Sequence, residues 1–326
     1  MMAETPGRLA ILLIFFVLHL LSGAVLRRGR ARLPLLWTLI EVTGRDIERR
    51  LNREGRSASQ LFARGVITAM VIVFCAGFFG YAVELAGGYA YGWLAELALL
   101  FFAVTVMGPL AVLRHLEKDG LQQAATQIEV FLKEPLGKPD LHTILRKALE
   151  MSAISLTRHL GAPVFWYVIA GPLGMAVYVA VASLHRVVGL SDSRHRHFGA
   201  LVRFADSLLT FVPGALVSFF VVFGSCFVSK SSPLQAFVMI MNQSRHFRPL
   251  CEGMPVAAMA GGLGVTLGGP VRHSSDYVIE RRWIGPKETT ARLTLGDLKH
   301  GEMLHFVVFL ALMLVISALL IAPIFN

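Results

Sequence analysis

The sequence is short of charge. Only 16% of its 326 residues are Asp, Glu, Lys or Arg, against about 25% in soluble domains, which disfavours an ordinary water-soluble enzyme. Cysteine is scarce as well. Cys75, Cys226 and Cys251 lie far apart and form no CxxC pair, so zinc or dithiol chemistry has no support and buried, inert thiols are expected. No Gly-Lys-Ser or Gly-Lys-Thr follows a glycine run, as a Walker phosphate loop requires, and no HExxH offers a metalloprotease site. No basic stretch carries interleaved aromatics or a reader motif. The net charge of +10 therefore does not point to nucleic acid.

Long apolar runs are what the sequence has in abundance. Hydrophobic residues make up 55% of it, and mean hydropathy is +0.62. Runs at about 9–26, 65–85, 93–113, 162–184, 207–228 and 304–325 approach or exceed the ~18–20 residues that cross a bilayer core as a helix. The fold class expected is all-α: a polytopic membrane protein with about five or six membrane segments, one kinked or re-entrant, plus cytoplasmic helices. We read 1–326 as a single membrane domain. It contains a basic cytoplasmic loop at 27–64, a cytoplasmic helical segment at 114–161 and a Gly-rich loop region at 230–301.

Positive charge orients the chain. Arg27 to Arg64 contains ten arginines and no lysine, which places that segment in the cytoplasm and the N-terminus outside. Within it, "DIERRLNREGRS" reads as a short charged helix ending near Gly55. Asp140 is placed to cap a helix beginning at Leu141, with Leu145, Ala148 and Leu149 on its apolar stripe. Gly161 and Pro163 mark its end or a bend. The run at 162–184 is centred on Gly171-Pro172-Leu173-Gly174, so it is either a kinked crossing or a re-entrant pair of half-helices. Both 185–203 and 230–299 are basic, and the charge rule cannot put both inside; topology after Leu184 stays open at this point.

Few residues could carry chemistry. His19, inside the first run, is expected to pack. "RHRHF" spaces His195 and His197 two apart, but Arg194 and Arg196 flank them, which favours an anion or headgroup contact over a metal. Asp206 heads an apolar run, and Arg203 is its local partner at i,i+3; an ion pair at a helix end and a functional role are both open. The stretch "EGMPVAAMAGGLGVTLGGP", Glu252 to Pro270, carries GxGxxxG at Gly262, Gly264 and Gly268. No strand precedes it and no acid follows at the spacing a dinucleotide site needs. Its small residues suit close helix packing.

That stretch resembles the most recognisable block of the CobD/CbiB family of cobalamin-biosynthesis membrane proteins, usually GWPxAAMAGALGVxLGGP. "WIG" at Trp283 to Gly285 is similar to the family's downstream tail. "APVFWYVIAGPLGMAVYVAV" resembles its APLFWxxxGGxPGAxxYRAV, and "FADSLLTFVPGAL" its RLDDxxNxxPARL. AmpE-like proteins look like more distant relatives. The resemblance implies a multi-pass protein of the bacterial inner membrane. It also implies an amide-forming step that attaches aminopropanol, or its phosphate, to adenosylcobyric acid with ATP and Mg²⁺.

The backbone-shaping residues of the family are kept and most of its polar ones are not. Glu150 and Asp206 remain as candidate catalytic acids, and Gly253, Pro255, Gly264, Gly268 and Gly269 as candidate cavity-lining residues, with no metal ligand assigned. The family's other acids and amides fall on Ile154, Ser155, Arg158, Ala182, His185, Ser207 and Thr210, and one of its glycines falls on His159. Two readings follow: a divergent synthase, or a catalytically inactive partner subunit or regulator. The partners expected are the lipid bilayer and either a corrinoid or another membrane protein.

Overall fold

The structure is a computed structural model and describes residues 5–25, 33–53, 55–105, 109, 112, 120–134, 136, 139–189, 194–247, 249–272, 278–289 and 291–322. Its elements are mostly helices: α1 Thr5–Val25, α2 Leu35–Leu51, α3 Ala58–Ala86, α4 Trp93–Ala103, α5 Leu121–Leu132, α6 Leu141–Ser155, a π-turn at Leu156–Gly161, α7 Ala162–Val188, α8 Ala200–Gly224, α9 Pro233–Gln243, α10 Leu250–Leu263 and α11 Leu295–Ile321. Four two-residue strands, β1 Leu267–Gly268, β2 Val271–Arg272, β3 Val278–Ile279 and β4 Trp283–Ile284, pair antiparallel as β1 with β4 and β2 with β3.

Among the described residues four segments are long and apolar enough to cross a bilayer: Ala58–Ala86, Leu141–Val188, Ala200–Phe227 and Leu295–Ile321. Three shorter apolar helices accompany them, Gly7–Leu21, Trp93–Ala103 and Leu250–Leu263. The outer faces are apolar. Phe74 and Phe78 on α3, Phe204 and Phe219 on α8 and Leu314 on α11 are all exposed, as hydrocarbon-facing helices require and water-facing ones do not. The protein is an all-α polytopic membrane protein.

Of the expected third span, 93–113, α4 accounts for Trp93–Ala103, and most of the stretch after Thr105 lies outside the described residues. Val104 is extended, and the Thr105 N–H donates to the His159 carbonyl at 3.0 Å. Eleven residues rise roughly 16 Å, about half a bilayer core. The charged helix also begins earlier than the charges suggest: α2 starts at Leu35, and its C-cap is Asn52.

Helix α6 begins where expected, with the Asp140 side chain accepting the Thr143 N–H at 3.0 Å. It does not stop at Gly161. The backbone passes through the π-turn directly into α7, and from Ile144 to Val164 every residue is buried. Helix α7 then breaks at Ala170 (φ −128°, ψ 19°) and Gly171 (φ 64°, ψ −161°), just before Pro172. The second of these conformations is open essentially to glycine alone. A straight helix would hold Arg158 and His185 roughly 40 Å apart, yet both bond the same Asp206 carboxylate. The Tyr178 hydroxyl likewise donates back to the Arg158 carbonyl. The chain therefore doubles back at Gly171 as a helical hairpin, the re-entrant alternative of the sequence.

Ion pairs gather the basic segments at one end. Arg194 and His195 reach Glu48 on α2, and the Asn52 side chain donates to the Arg194 carbonyl. Arg186, near the end of α7, and Lys133, just past α5, both bind Glu41 on α2. Arg281 binds Glu134. The 194–203 and 281–285 segments thus lie with the 45–64 segment rather than across the membrane from one another.

Candidate functional site

Two buried charge clusters stand out, one on α6 and one built on the π-turn. A π-turn inserts an extra residue into the helical register and is found mostly at functional positions. Here it carries Arg158 and His159 inward, at 3% and 0% exposure.

Glu150, on the last turns of α6, belongs to the first cluster. One carboxylate oxygen accepts from Lys147 Nζ at 2.6 Å and the other from the Gly268 N–H at 2.8 Å. Lys147 also donates to Glu134 at 3.2 Å, and Glu134 accepts from Arg281. The i,i+3 spacing sets Lys147 and Glu150 on one face of α6. Gly268 takes φ +74°, and a Cβ there would meet the Arg282 carbonyl at 2.9 Å, so the residue is glycine for backbone reasons while its N–H serves the acid.

Asp206 organises the second cluster. It is fully buried, and the Arg158 guanidinium grips it with two parallel bonds of 2.8 Å. His185 Nδ1 bonds the same carboxylate, and Arg158 Nε bonds Glu252 at the start of α10. The expected local partner is not used: Arg203 donates to the carbonyls of His195 and Arg196 instead. Asp206 sits between Arg158 and His185, which lie on either side of the Gly171 corner.

Glu150 and Asp206 therefore belong to separate clusters, each with its own cations. Of the glycine-block residues, only Gly268 touches a candidate acid. Gly253 lies against the Ser244 carbonyl, closer than a Cβ would allow. Pro255 is buried within α10. Gly264 ends α10 in the left-handed region at φ +64°, and Gly269 (φ +84°) lies under the Trp283 ring. The opening of this block is a packed helix: its neighbours Gly261 and Gly262 would clash with the Gln235 carbonyl and the Ser225 hydroxyl if they bore a Cβ.

His195 contacts an internal carboxylate, that of Glu48 on α2. His19 packs against the rings of Phe15 and Phe309. The sequence also spaces Glu302 and His305 at i,i+3, a pair that could present metal ligands. His305 Nδ1 instead bonds the Ser152 hydroxyl at 2.7 Å, and no group of three or more His, Cys, Asp or Glu is placed to hold a metal among the described residues. Sequence reasoning also missed that Arg158 and His185 would be the partners of Asp206. The available signal was an arginine and a histidine within or beside apolar segments, where the family resemblance places acids.

Outside the membrane segments, Glu41 carries a clear electrostatic signature. Burial alone would raise its carboxyl, but the Arg186 guanidinium and the Lys133 ammonium outweigh that and hold it below the ordinary carboxylate range. Arg186 also donates to the Phe131 carbonyl at the end of α5, so this pair ties α2, α5 and α7 together.

A pocket of about 400 Å³ adjoins the second cluster, between α8 and the N-terminus of α10. It falls within the small-molecule range.

These features define a class: a multi-pass helical membrane protein with a re-entrant hairpin and two internal ion clusters beside a glycine-rich helix. The family model described as CobD/Cbib protein matches residues 11–302, and the chain belongs to this family. Among curated relatives, "Cobalamin biosynthesis protein CobD" of Rhodobacter capsulatus is 29% identical over 249 residues, 74% of this chain and 76% of the relative. The protein of the same name from Brucella anthropi is 23% identical over 239 residues, 71% of this chain and 73% of its own. That from Listeria monocytogenes is 24% identical over 229 residues, covering 68% and 72%. No solved structure matches the chain.

Proposed function

We propose that this chain is a non-catalytic member of its cobalamin-biosynthesis family, serving in the membrane as a partner subunit or regulator. The observation that carries this reading is the bidentate Arg158–Asp206 pair, closed by His185. The family resemblance places acids at both 158 and 185. Three converging acids are a hard-cation site; one acid held by an arginine and a histidine is a cluster whose carboxylate is already occupied on both oxygens.

The residues present do not fit a magnesium–nucleotide group. The Asp206 carboxylate is held by Arg158 and His185, Glu252 by Arg158, and Glu150 by Lys147 and the Gly268 N–H. A metal would have to displace buried cations whose loss leaves costly unpaired charge. His159 supports the same reading. Where the resemblance places a glycine, its imidazole fills space between Trp37 and Phe131, with ring centroids 4.4 and 4.9 Å away.

The competing reading is the family's amide synthesis, with Glu150 and Asp206 as the surviving acids. The test supplies purified protein with adenosylcobyric acid, aminopropanol phosphate, ATP and Mg²⁺, alongside complementation of a strain lacking its synthase. We expect no amide and no growth. Amide formation that disappears in Asp206→Ala or Glu150→Ala would establish the synthase instead.

A further inference from the structure

The pocket beside the Asp206 cluster is lined by Ser207 and Phe211 of α8, by Arg245 and Phe247, and by Leu250 and Cys251 of α10. Its walls are mostly apolar. Phe211 is exposed and belongs to the stripe Phe204, Leu208, Phe211 and Val212, all exposed on α8. The pocket wall is therefore continuous with the surface that meets hydrocarbon.

Its rim is cationic. Arg245 is exposed and has no hydrogen-bond or ion-pair partner among the described residues. Arg281 stands 5.6 Å from the centroid of the Phe247 ring, and Arg282 contacts His246. The nearby acids are already engaged: Glu252 with Arg158, and Glu134 with Lys147 and Arg281. An unpaired guanidinium at the mouth of an apolar, lipid-facing cleft complements an amphiphile with a negative head. Arginine suits a phosphate because its planar fork bonds two oxygens at once.

We propose that this pocket holds an anionic phospholipid, its phosphate on Arg245 and an acyl chain along Phe211 and Leu250. The inference does not depend on whether the neighbouring cluster is catalytic, since it uses neither Asp206 nor Glu150. A lipid held there would bridge α8 and the start of α10, the two elements that carry Asp206 and Glu252.

Native mass spectrometry tests it. Purified protein in detergent is given equal amounts of phosphatidylglycerol and phosphatidylcholine. Wild type should retain phosphatidylglycerol at least about five-fold more, the scale of one cation at an anionic membrane surface. Arg245→Gln, a surface change, should bring the two lipids to parity, and Ser207→Phe, which fills the pocket, should also abolish the preference. Arg49→Gln, on exposed α2 surface, should leave it intact. Equal retention by wild type, a preference surviving Arg245→Gln or Ser207→Phe, or displacement of the lipid by millimolar inorganic phosphate would overturn the proposal.

Discussion

Arg158 carries a guanidinium that does not deprotonate, and only 3% of the residue is exposed. Its partners make that tolerable: Asp206 on two nitrogens and Glu252 on the third. Removing one partner of such a group is far worse than never having had the pair. Asp206→Ala should cost about 3–5 kcal/mol, read as a fall in thermal unfolding temperature in detergent. Replacing the pair with apolar residues of similar size, Arg158→Met with Asp206→Leu, should recover much of the loss, because buried ion pairs often exchange for hydrophobic contacts at little cost. A double variant no more stable than Asp206→Ala would show that the cluster is not the closed, self-neutralising unit described.

Among the elements, the hairpin in α7 matters most, since it brings Arg158 and His185 to one carboxylate. Its corner rests on Gly171, whose φ of 64° and ψ of −161° exclude a side chain; a Cβ would also meet the Arg8 guanidinium at 2.8 Å. Gly171→Ala should destabilise the protein by about 1–3 kcal/mol and loosen the hairpin. The readout is faster hydrogen exchange in the two arms of α7 than in α11. The glycine–proline corner was legible in the sequence as a kink or re-entry, because backbone chemistry there is local. The choice between the two was not, since it depends on which residues meet across the bundle. Helix α4 shows the same limit. Its apolar run predicts a full span, but the helix stops at Ala103, where the next backbone N–H but one is taken by the His159 carbonyl.

At the scale of the whole molecule, Arg186, Arg194 and His195 gather on α2, and Arg281 on Glu134 close by. The charge rule is a statement about loops and could not foresee that Arg194 meets α2 through Glu48, that Arg186 meets it through Glu41, or that Arg281 meets Glu134 just past α5. Arg49→Cys and Arg194→Cys should therefore react with an impermeant maleimide from the same side of the membrane; opposite sides would refute the hairpin topology. The Glu41 pairing makes this end sensitive to acid. Its folded pKa lies below the unfolded one, so the stabilisation is fully present above the ordinary carboxylate range. It is lost as pH falls from roughly 4 through the folded value. Unfolding temperature should fall across that window in wild type and less steeply in Glu41→Gln. The candidate site was half legible. Its glycine framework and two surviving acids stood in the sequence, but the salt bridges that close it join residues 48 and 94 positions apart.

Closure of the Asp206 cluster is best tested by manganese binding followed by electron paramagnetic resonance, with Mn²⁺ reporting on any site built for Mg²⁺. Wild type should show no saturable site that depends on Asp206, while Arg158→Asp with His185→Asp should create one. A saturable site in wild type that Asp206→Asn removes would contradict the account.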